Sequence, residues 1–343
     1  VIDPLELINE FGADSLRFTL ISMASPGRDV KLSEDRVKGY RNFLNKLWNA
    51  NNFLIQNKCS FRNIQKKPKI SININKWIYA ELLETKSNVE KNIKDYRFDE
   101  AARNSYQFVW HSYCDWYLEL TKTILYSNDK KSIKEIREVS SYIFKEILIL
   151  MHPFIPFITE EIWLKNNIDN TKKNYLMLAN WISGTSKKDK DFKEVEKIIT
   201  IISQIRSFKN ELNVSPGSFV DISLSKINAN SKAFFKHNDT VLKKLGRINN
   251  FFDKDMEKPS ATIVISGDIF KVYFEENVDL KIIKENLLNK QKKSQNEIDK
   301  INSRLNNKDF ISRAPKHIVD QEKTNYNNLK NDIKKISLTV KSL

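Results

Sequence analysis

The chain has 343 residues, with only 7 glycines, 8 prolines and 2 cysteines, and a formal net charge of +15. Scarce glycine and proline favour long helices over a turn-rich β fold, and two cysteines without a CxxC spacing exclude a disulfide framework and suit a reducing cytoplasm. No apolar run is long enough to span a bilayer, and the 4 histidines are scattered without a metal-ligand pattern. The charge points to a polyanionic partner, nucleic acid before membrane, although a lysine-rich proteome from an AT-rich genome explains it almost as well.

The first 33 residues have the pattern of the end of a domain that starts upstream. Asp3 and Pro4 open a short helix, with proline at the first helical position, and residues 13–23 form a second helix. The sequence begins at Val1 without an initiator methionine, which predicts a fragment of a larger protein.

A long helix is predicted from Ser33, its N-cap, to about Gln56. One stripe of this helix is apolar. A second stripe at the same spacing is mostly polar and consists of Gly39, Asn42, Asn45, Lys46, Asn49 and Phe53. Asparagine can read base edges, lysine can meet phosphate and phenylalanine can stack on an unpaired base, so this stripe is a candidate RNA contact. A solvated face with Phe53 tucked into the core explains the pattern equally well.

Further helices follow a basic linker over residues 57–74. Their predicted ranges are 75–96, 98–126, 129–151 and, after a His-Pro break, 158–164. Each long helix carries an apolar stripe, and short connections between long helices predict an antiparallel bundle. Residues 165–191 are polar, with a possible short extended piece at 175–181.

The pattern changes after residue 191. A helix at 192–212, a strand at 219–224, a helix at 233–245 and strands at 261–266 and 268–274, joined by a turn at Gly267, predict a small α/β unit.

The last stretch, 279–343, carries two heptad-like arms on either side of a break at 310–315, which predicts an antiparallel coiled-coil hairpin. Fifteen lysines and arginines against eight aspartates and glutamates give it a net charge of +7. An oligomerisation coiled coil is the alternative, but polar Gln291 and Ser294 at core positions make a poor zipper.

Several short motifs point to one family. They are VIDP (1–4), FGADSLRF (11–18), SPGRD (25–29), GYRNF (39–43), NKLWNA (45–50), CDWYLE (114–119), HPFIPFITEEIW (152–163) and FISRAP (310–315). Together they resemble the valyl enzymes among the class I aminoacyl-tRNA synthetases, in the part that follows the KMSKS loop. The resemblance covers essentially the whole chain.

The resemblance implies a mainly α fold with three parts: a class I synthetase anticodon-binding helical bundle, a small α/β unit and a C-terminal antiparallel coiled-coil hairpin. The implied domains are the end of a stem-contact module (1–33), the bundle (34–185), an α/β junction domain (190–276) and a tRNA-binding arm (279–343).

The valyl enzymes join valine to its tRNA using ATP with magnesium, in a catalytic domain with a HIGH motif, and correct errors in an editing domain. This chain has no HIGH-like tetrapeptide, so the resemblance implies the tRNA-recognition half of such an enzyme, inactive alone. It implies no catalytic, cofactor-binding or metal residues here, and valine and ATP as partners only through the missing catalytic domain. We expect a cytoplasmic monomer that binds valine tRNA and no membrane.

The implied tRNA contacts lie on the bundle and on the arm. On the bundle they are Arg36 and Arg41 as phosphate clamps, with Asn42, Asn45, Lys46, Asn49 and Phe53. On the arm they are Lys284, Lys292, Lys293, Arg304, Lys308 and Arg313, against the outer corner of the tRNA. A free-standing tRNA-binding protein built from the same domains, and a coiled-coil interaction protein with no RNA partner, are the competing hypotheses.

Overall fold

The computed structural model describes residues 3–27, 29, 31–61, 66–166, 168, 175–265, 268–275, 279–307 and 315–342. The chain divides into two compact units, Val1–Lys197 and Ile198–Leu343. Each unit has its own buried core and is described by itself.

The first unit is a helical bundle, as the sequence predicts. Its helices are α1 (Pro4–Phe11), α2 (Ala13–Met23), α3 (Glu34–Gln56), α4 (Asn73–Lys94), α5 (Phe98–Gln107), a π-helical segment (Phe108–Tyr117), α6 (Leu118–Leu125), α7 (Lys130–Met151) and α8 (Pro156–Lys165). The core includes large aromatic side chains from several of these helices, among them Phe18, Phe43, Trp77 and Phe144, all at most 2 % exposed. Burying rings of this size contributes strongly to stability.

The predicted single helix at 98–126 is wrong in its middle, because ten residues form a π-helix there. Tyr113 and Tyr117 are both fully buried and their rings stack with centroids 5.5 Å apart. The Tyr117 hydroxyl donates to Asn75 Oδ1 at 2.8 Å and lies 3.1 Å from Ser140 Oγ. Hydrophobic periodicity cannot separate a wider turn from an α-turn over so short a span.

Helices α4 and α8 of the first unit have no side-chain cap at their own N-terminus and receive acceptors from other helices instead. The Glu135 carboxylate on α7 accepts the backbone N–H groups of Ser71 and Ile72, both at 2.8 Å, just before α4. Asp14 on α2 accepts the N–H of Ile158 at 2.7 Å, in the first turn of α8. The N–H groups at these helix starts are therefore satisfied by carboxylates from other helices.

The extended piece predicted at 175–181 is interrupted by a turn, with Tyr175 and Ala179 in extended conformations on either side of it. This turn is a short 3₁₀ helix at Leu176–Leu178. Leu176 is buried, and its N–H donates to the Glu160 carboxylate at 3.0 Å. The following helix, α9 (Lys190–Glu211), begins in the first unit and ends in the second.

The second unit combines a four-stranded sheet with helices. After α9 come β1 (Val220–Ser223), α10 (Ala229–His237), α11 (Asp239–Gly246), β2 (Ile248–Phe252), β3 (Ala261–Ile265), β4 (Asp268–Phe274), α12 (Leu280–Leu305) and α13 (Lys316–Ser342). The strand order is β2-β1-β4-β3, with β1 parallel to β2 and the other pairs antiparallel. The small α/β unit is therefore present.

Two details of this unit differ from the sequence prediction. The helix expected at 233–245 is two helices, because α10 ends at His237 and α11 begins at Asp239, with Asn238 between them. Strand β2 was not expected, since in INNFF the apolar residues do not alternate with polar ones. The predicted turn at Gly267 lies outside the described residues.

The arm is an antiparallel helical hairpin formed by α12 and α13. Gln291 Nε2 donates to Ser337 Oγ at 2.9 Å across the hairpin, and Arg304 donates to Glu322 at 2.6 Å further along it. At its base, Ile283, Leu287 and Ile336 share one buried cluster with Leu212, Val214 and Ala261. Of the predicted tip at 310–315, only Pro315 is among the described residues.

Replacing Asp14 by alanine is expected to destabilise the first unit by about 1–3 kcal/mol, because the N–H groups of Phe157 and Ile158 lose their acceptor. Burial is the largest influence on this carboxyl and raises its pKa. Asp14→Asn keeps an acceptor oxygen without the charge, so it should lose less. Urea unfolding followed by circular dichroism measures both variants, and an unchanged midpoint for Asp14→Ala would contradict the capping role.

Asp99 gives the first unit a defined acid sensitivity. Arg97 donates to both oxygens of this carboxylate at 3.1 Å, Ser25 Oγ donates at 2.8 Å, and these bonds lower its pKa to about 2. A folded-state pKa below the unfolded value of 3.8 means stability that is complete above pH 3.8 and lost as the pH falls towards 2.

We expect Asp99→Asn to lower stability at pH 6 and to flatten its decline below pH 4, measured as urea midpoints across pH 2–6. Asp35→Asn, at an exposed position in the first turn of α3, is the matched control and should follow the wild-type curve. If the Asp99→Asn curve kept the wild-type slope below pH 4, the ion pair would not be the source of the acid sensitivity.

Candidate nucleic-acid interface

The outer face of α3 carries the polar stripe that runs from Gly39 to Phe53. The opposite face is buried through Val37, Phe43, Leu44, Leu47 and Leu54. Five of the predicted contacts on α3 are exposed: Arg41, Asn42, Asn45 and Asn49 on the polar face, and Arg36 in the first turn of the helix. A row of amides held on a rigid helix can present donors and acceptors to unpaired bases.

Lys46 is held by the π-helical segment and is not a free cation. Its ammonium pairs with Asp115 and lies 3.9 Å from the centroid of the Trp110 ring. Asp115 is also 3.1 Å from His111 Nδ1. The predicted phosphate contact of Lys46 would therefore have to replace an existing ion pair and a cation–π contact.

The sequence leaves open whether the Phe53 ring is exposed for stacking on a base or packed in the core, and the structure shows an intermediate position. Its side chain is half-buried, and the Lys122 ammonium lies 5.5 Å from its ring centroid. The ring is neither fully exposed nor sealed into the core.

Three residues beside this face were not found by sequence reasoning: Trp110, His111 and Asp115. Trp110 is half-buried, and its ring stacks on Tyr106 at 5.7 Å and lies 6.2 Å from Phe43. These contacts fix the plane of the indole. Its contact with Lys46 joins residues that are 64 positions apart along the chain, which no local sequence pattern can reveal.

The π-helix is the local structure that brings this group together. In a π-helix the backbone bonds join residues five apart, and such segments occur frequently at functional sites. Here the segment directs Tyr113 and Tyr117 into the core, while His111 remains exposed and Trp110 and Asp115 reach α3. It therefore joins the bundle core to the polar face.

On the arm, the predicted contacts are positioned differently from one another. Lys284, Lys292 and Lys293 are exposed on α12. Arg304 is half exposed, but its guanidinium is paired with Glu322 at 2.6 Å. Lys308 and Arg313 lie outside the described residues. Three of the six predicted cations are thus exposed on α12 without an ion pair among the described residues.

The described residues offer no groups of the kind that hold metals, and no helix among them has the length and apolarity to cross a membrane. The two cysteines, Cys59 and Cys114, are buried, and burial raises the pKa of each thiol to about 12. Neither is ionised at neutral pH, so neither is a reactive nucleophile.

Comparison with known proteins identifies two regions. The family described as the anticodon-binding domain of tRNA ligase matches residues 75–224, and the family described as the valyl tRNA synthetase tRNA-binding arm matches residues 279–343. A valine–tRNA ligase of Pelagibacter ubique is 67 % identical over 343 residues, which is 100 % of this chain and 39 % of that protein. Over its whole length, the chain is therefore similar to part of the valine–tRNA ligases.

A second valine–tRNA ligase is less similar in sequence but matches equally far along the chain. The valine–tRNA ligase of Bartonella quintana is 35 % identical over 100 % of this chain and 38 % of its own length. The chain therefore spans about two fifths of the length of the curated relatives that it matches. A crystal structure of a LeuRS–tRNA–LeuAMS ternary complex from Agrobacterium radiobacter K84 matches 71 % of this chain and 27 % of that chain, with a TM-score of 0.40 and 17 % identity.

The matched ranges divide the candidate residues. Trp110, His111 and Asp115 lie within the anticodon-binding match, whereas the α3 stripe precedes it. The exposed lysines of α12 lie within the match to the valyl-tRNA synthetase arm.

Proposed function

We propose that this chain is the tRNA-recognition part of a valine–tRNA ligase and that its partner is the tRNA for valine. The observation that supports this best is the presence, in one chain, of an anticodon-binding domain at 75–224 and a valyl-type tRNA-binding arm at 279–343. The net charge of +15 suits a polyanionic partner. The 67 % identity to a valine–tRNA ligase over the whole chain favours this function over a free-standing tRNA-binding protein.

The two candidate surfaces would do different work. On the bundle, the amides of Asn42, Asn45 and Asn49 would read anticodon bases, with Arg36 and Arg41 on the neighbouring phosphates. On the arm, Lys284, Lys292 and Lys293 would contact the backbone at the outer corner of the tRNA, where shape is read rather than sequence. The first surface would supply specificity and the second affinity.

The domain plan in this proposal follows the sequence analysis: 1–33, 34–185, 190–276 and 279–343. Activation of valine with ATP and magnesium would belong to a catalytic domain outside these residues, so the chain alone would not aminoacylate tRNA. Two unpaired cysteines suit the cytoplasm, where protein synthesis takes place. We propose that the protein acts there as a monomer.

The chain is expected to bind valine tRNA in preference to leucine tRNA, with an affinity that falls steeply as salt rises, because phosphate contacts release counterions. Filter-binding titrations of both tRNAs at 50 and 200 mM salt measure this. Asn45→Ala and Asn49→Ala should each weaken valine tRNA binding by about tenfold and reduce the preference.

Asn88→Ala, at an exposed position on α4, is the matched control for these amides and should bind as the wild type does. Equal binding of both tRNAs by the wild-type chain would contradict anticodon reading. Loss of affinity without loss of preference in the α3 variants would move the reading site away from α3.

A double substitution, Lys292→Ala with Lys293→Ala, is expected to weaken binding of both tRNAs to the same extent and to lower the salt dependence, because these exposed cations would meet backbone phosphates. Substitution is a cleaner test than removal of the arm, since Ile283 and Leu287 at its base share a buried cluster with Leu212. A change in which tRNA is preferred would be inconsistent with a shape-reading arm. The same titrations give the answer.

A further inference from the structure

The second unit holds a cavity that neither candidate surface includes. It has a volume of about 440 Å³ and lies among α10, the start of α11 and the carboxyl end of β2. Its lining is Leu224, Lys232, Ala233, Phe235, Lys236, Asp239, Phe251, Phe252 and Asp253. All of these except Leu224 fall between the ranges matched by the two families, 75–224 and 279–343. A volume above about 300 Å³ is typical of sites for small organic groups.

One wall of the cavity is aromatic and firmly backed. Phe251 is half-buried and packs edge-to-face on Phe235 with ring centroids 5.3 Å apart. Phe235 is 2 % exposed and packs in turn on Phe270 of β4 at 5.4 Å. Phe252, also half-buried, is the next residue of the lining. Half-exposed rings that are held in place by buried neighbours can stack with any nucleobase.

The lining also carries charges of both signs. Lys232 pairs with Asp253 at 3.1 Å, and Asp239 pairs with Lys243 at 3.0 Å. Lys236, one helical turn after Lys232, is exposed and has no ion pair among the residues that the structure describes. The cavity thus offers a cation for an anionic group and carboxylates that can accept N–H donors.

The surrounding segment is strongly basic. Residues 226–258 contain seven lysines and one arginine against four carboxylates, a net charge of +4. A local excess of this sign attracts a polyanion and raises its concentration at the surface.

We propose that this cavity holds one unpaired nucleotide of the bound RNA, with its base against the rings of Phe251 and Phe252 and its phosphate beside Lys236. The proposal rests on the proposed function, which makes RNA the partner. A nucleotide brings a phosphate, a flat aromatic face and base N–H donors together, and the lining has a counterpart for each. A free phosphate would leave the aromatic wall unused, and an apolar peptide would leave Lys236 unused.

Two variants and one control test the site in the 343-residue chain. Phe252→Leu keeps apolar volume but removes the flat ring, and is expected to weaken binding of valine tRNA about tenfold. Lys236→Ala should weaken it about threefold and lower the slope of log affinity against log salt by about 0.7. Lys226→Ala removes an exposed cation of the same segment outside the cavity and should have a smaller effect than Lys236→Ala. Thermal unfolding verifies that each variant is folded.

Ultraviolet cross-linking followed by mass spectrometry gives an independent readout, and the expected cross-linked peptide contains Phe251 and Phe252. Unchanged affinity of both variants, with cross-links only on α3 or the arm, would overturn the proposal while leaving tRNA binding intact. If the wild-type chain fails to bind tRNA, the proposed function fails. A single-stranded RNA pentamer then tests the cavity alone, and equal binding by wild type and Phe252→Leu would refute it.

Discussion

The bundle depends on carboxylates that complete helices other than their own. Glu135 of α7 satisfies the backbone N–H groups just before α4, and Asp14 of α2 satisfies those of α8. A helix start has strong directional needs, and an unsatisfied buried N–H is costly. Apolar packing alone would allow helices to slide along one another, whereas these hydrogen bonds fix their positions along the axis. The face that α3 presents is therefore held on a scaffold of defined register.

Features with a local period could be predicted from the sequence. The stripe of Asn42, Asn45 and Asn49 is visible because an α-helix repeats every 3.6 residues, and its exposure follows from the burial of Leu44 and Leu47. The engagement of Lys46 could not be predicted, since Asp115 is 69 residues away and reaches it through a π-helix. Strand β2 escaped prediction because its two half-buried phenylalanines are adjacent, which reads as neither strand nor helix. Both features depend on contacts with residues that are distant along the chain, and a local sequence pattern does not report such contacts.

Within each candidate surface, some cations are paired with carboxylates of this chain and others are exposed to solvent. Lys46 and Arg304 are bound to carboxylates, while Lys284, Lys292 and Lys293 remain exposed to solvent. A cation already paired gains less from a phosphate, because the existing contact must first be broken. On α3 the amides, which carry no charge to neutralise, remain exposed beside a tryptophan of fixed orientation. This division suits the proposed roles, in which the bundle distinguishes one tRNA from another and the arm contributes affinity for the tRNA backbone.

The π-helix also has a consequence for how this chain tolerates insertions and deletions. A π-turn closes around one more residue than an α-turn, so removing a single residue from Phe108–Tyr117 could restore the α-ladder without breaking the helix. In a regular α-helix the loss of one residue turns all following residues by about 100° about the helix axis, whereas a π-turn that closes into an α-turn absorbs most of that rotation. Leu118, Leu120 and Leu125 of α6 would therefore keep facing the core. The π-helical segment is a place where the chain can lose one residue and still bury the same face of the following helix.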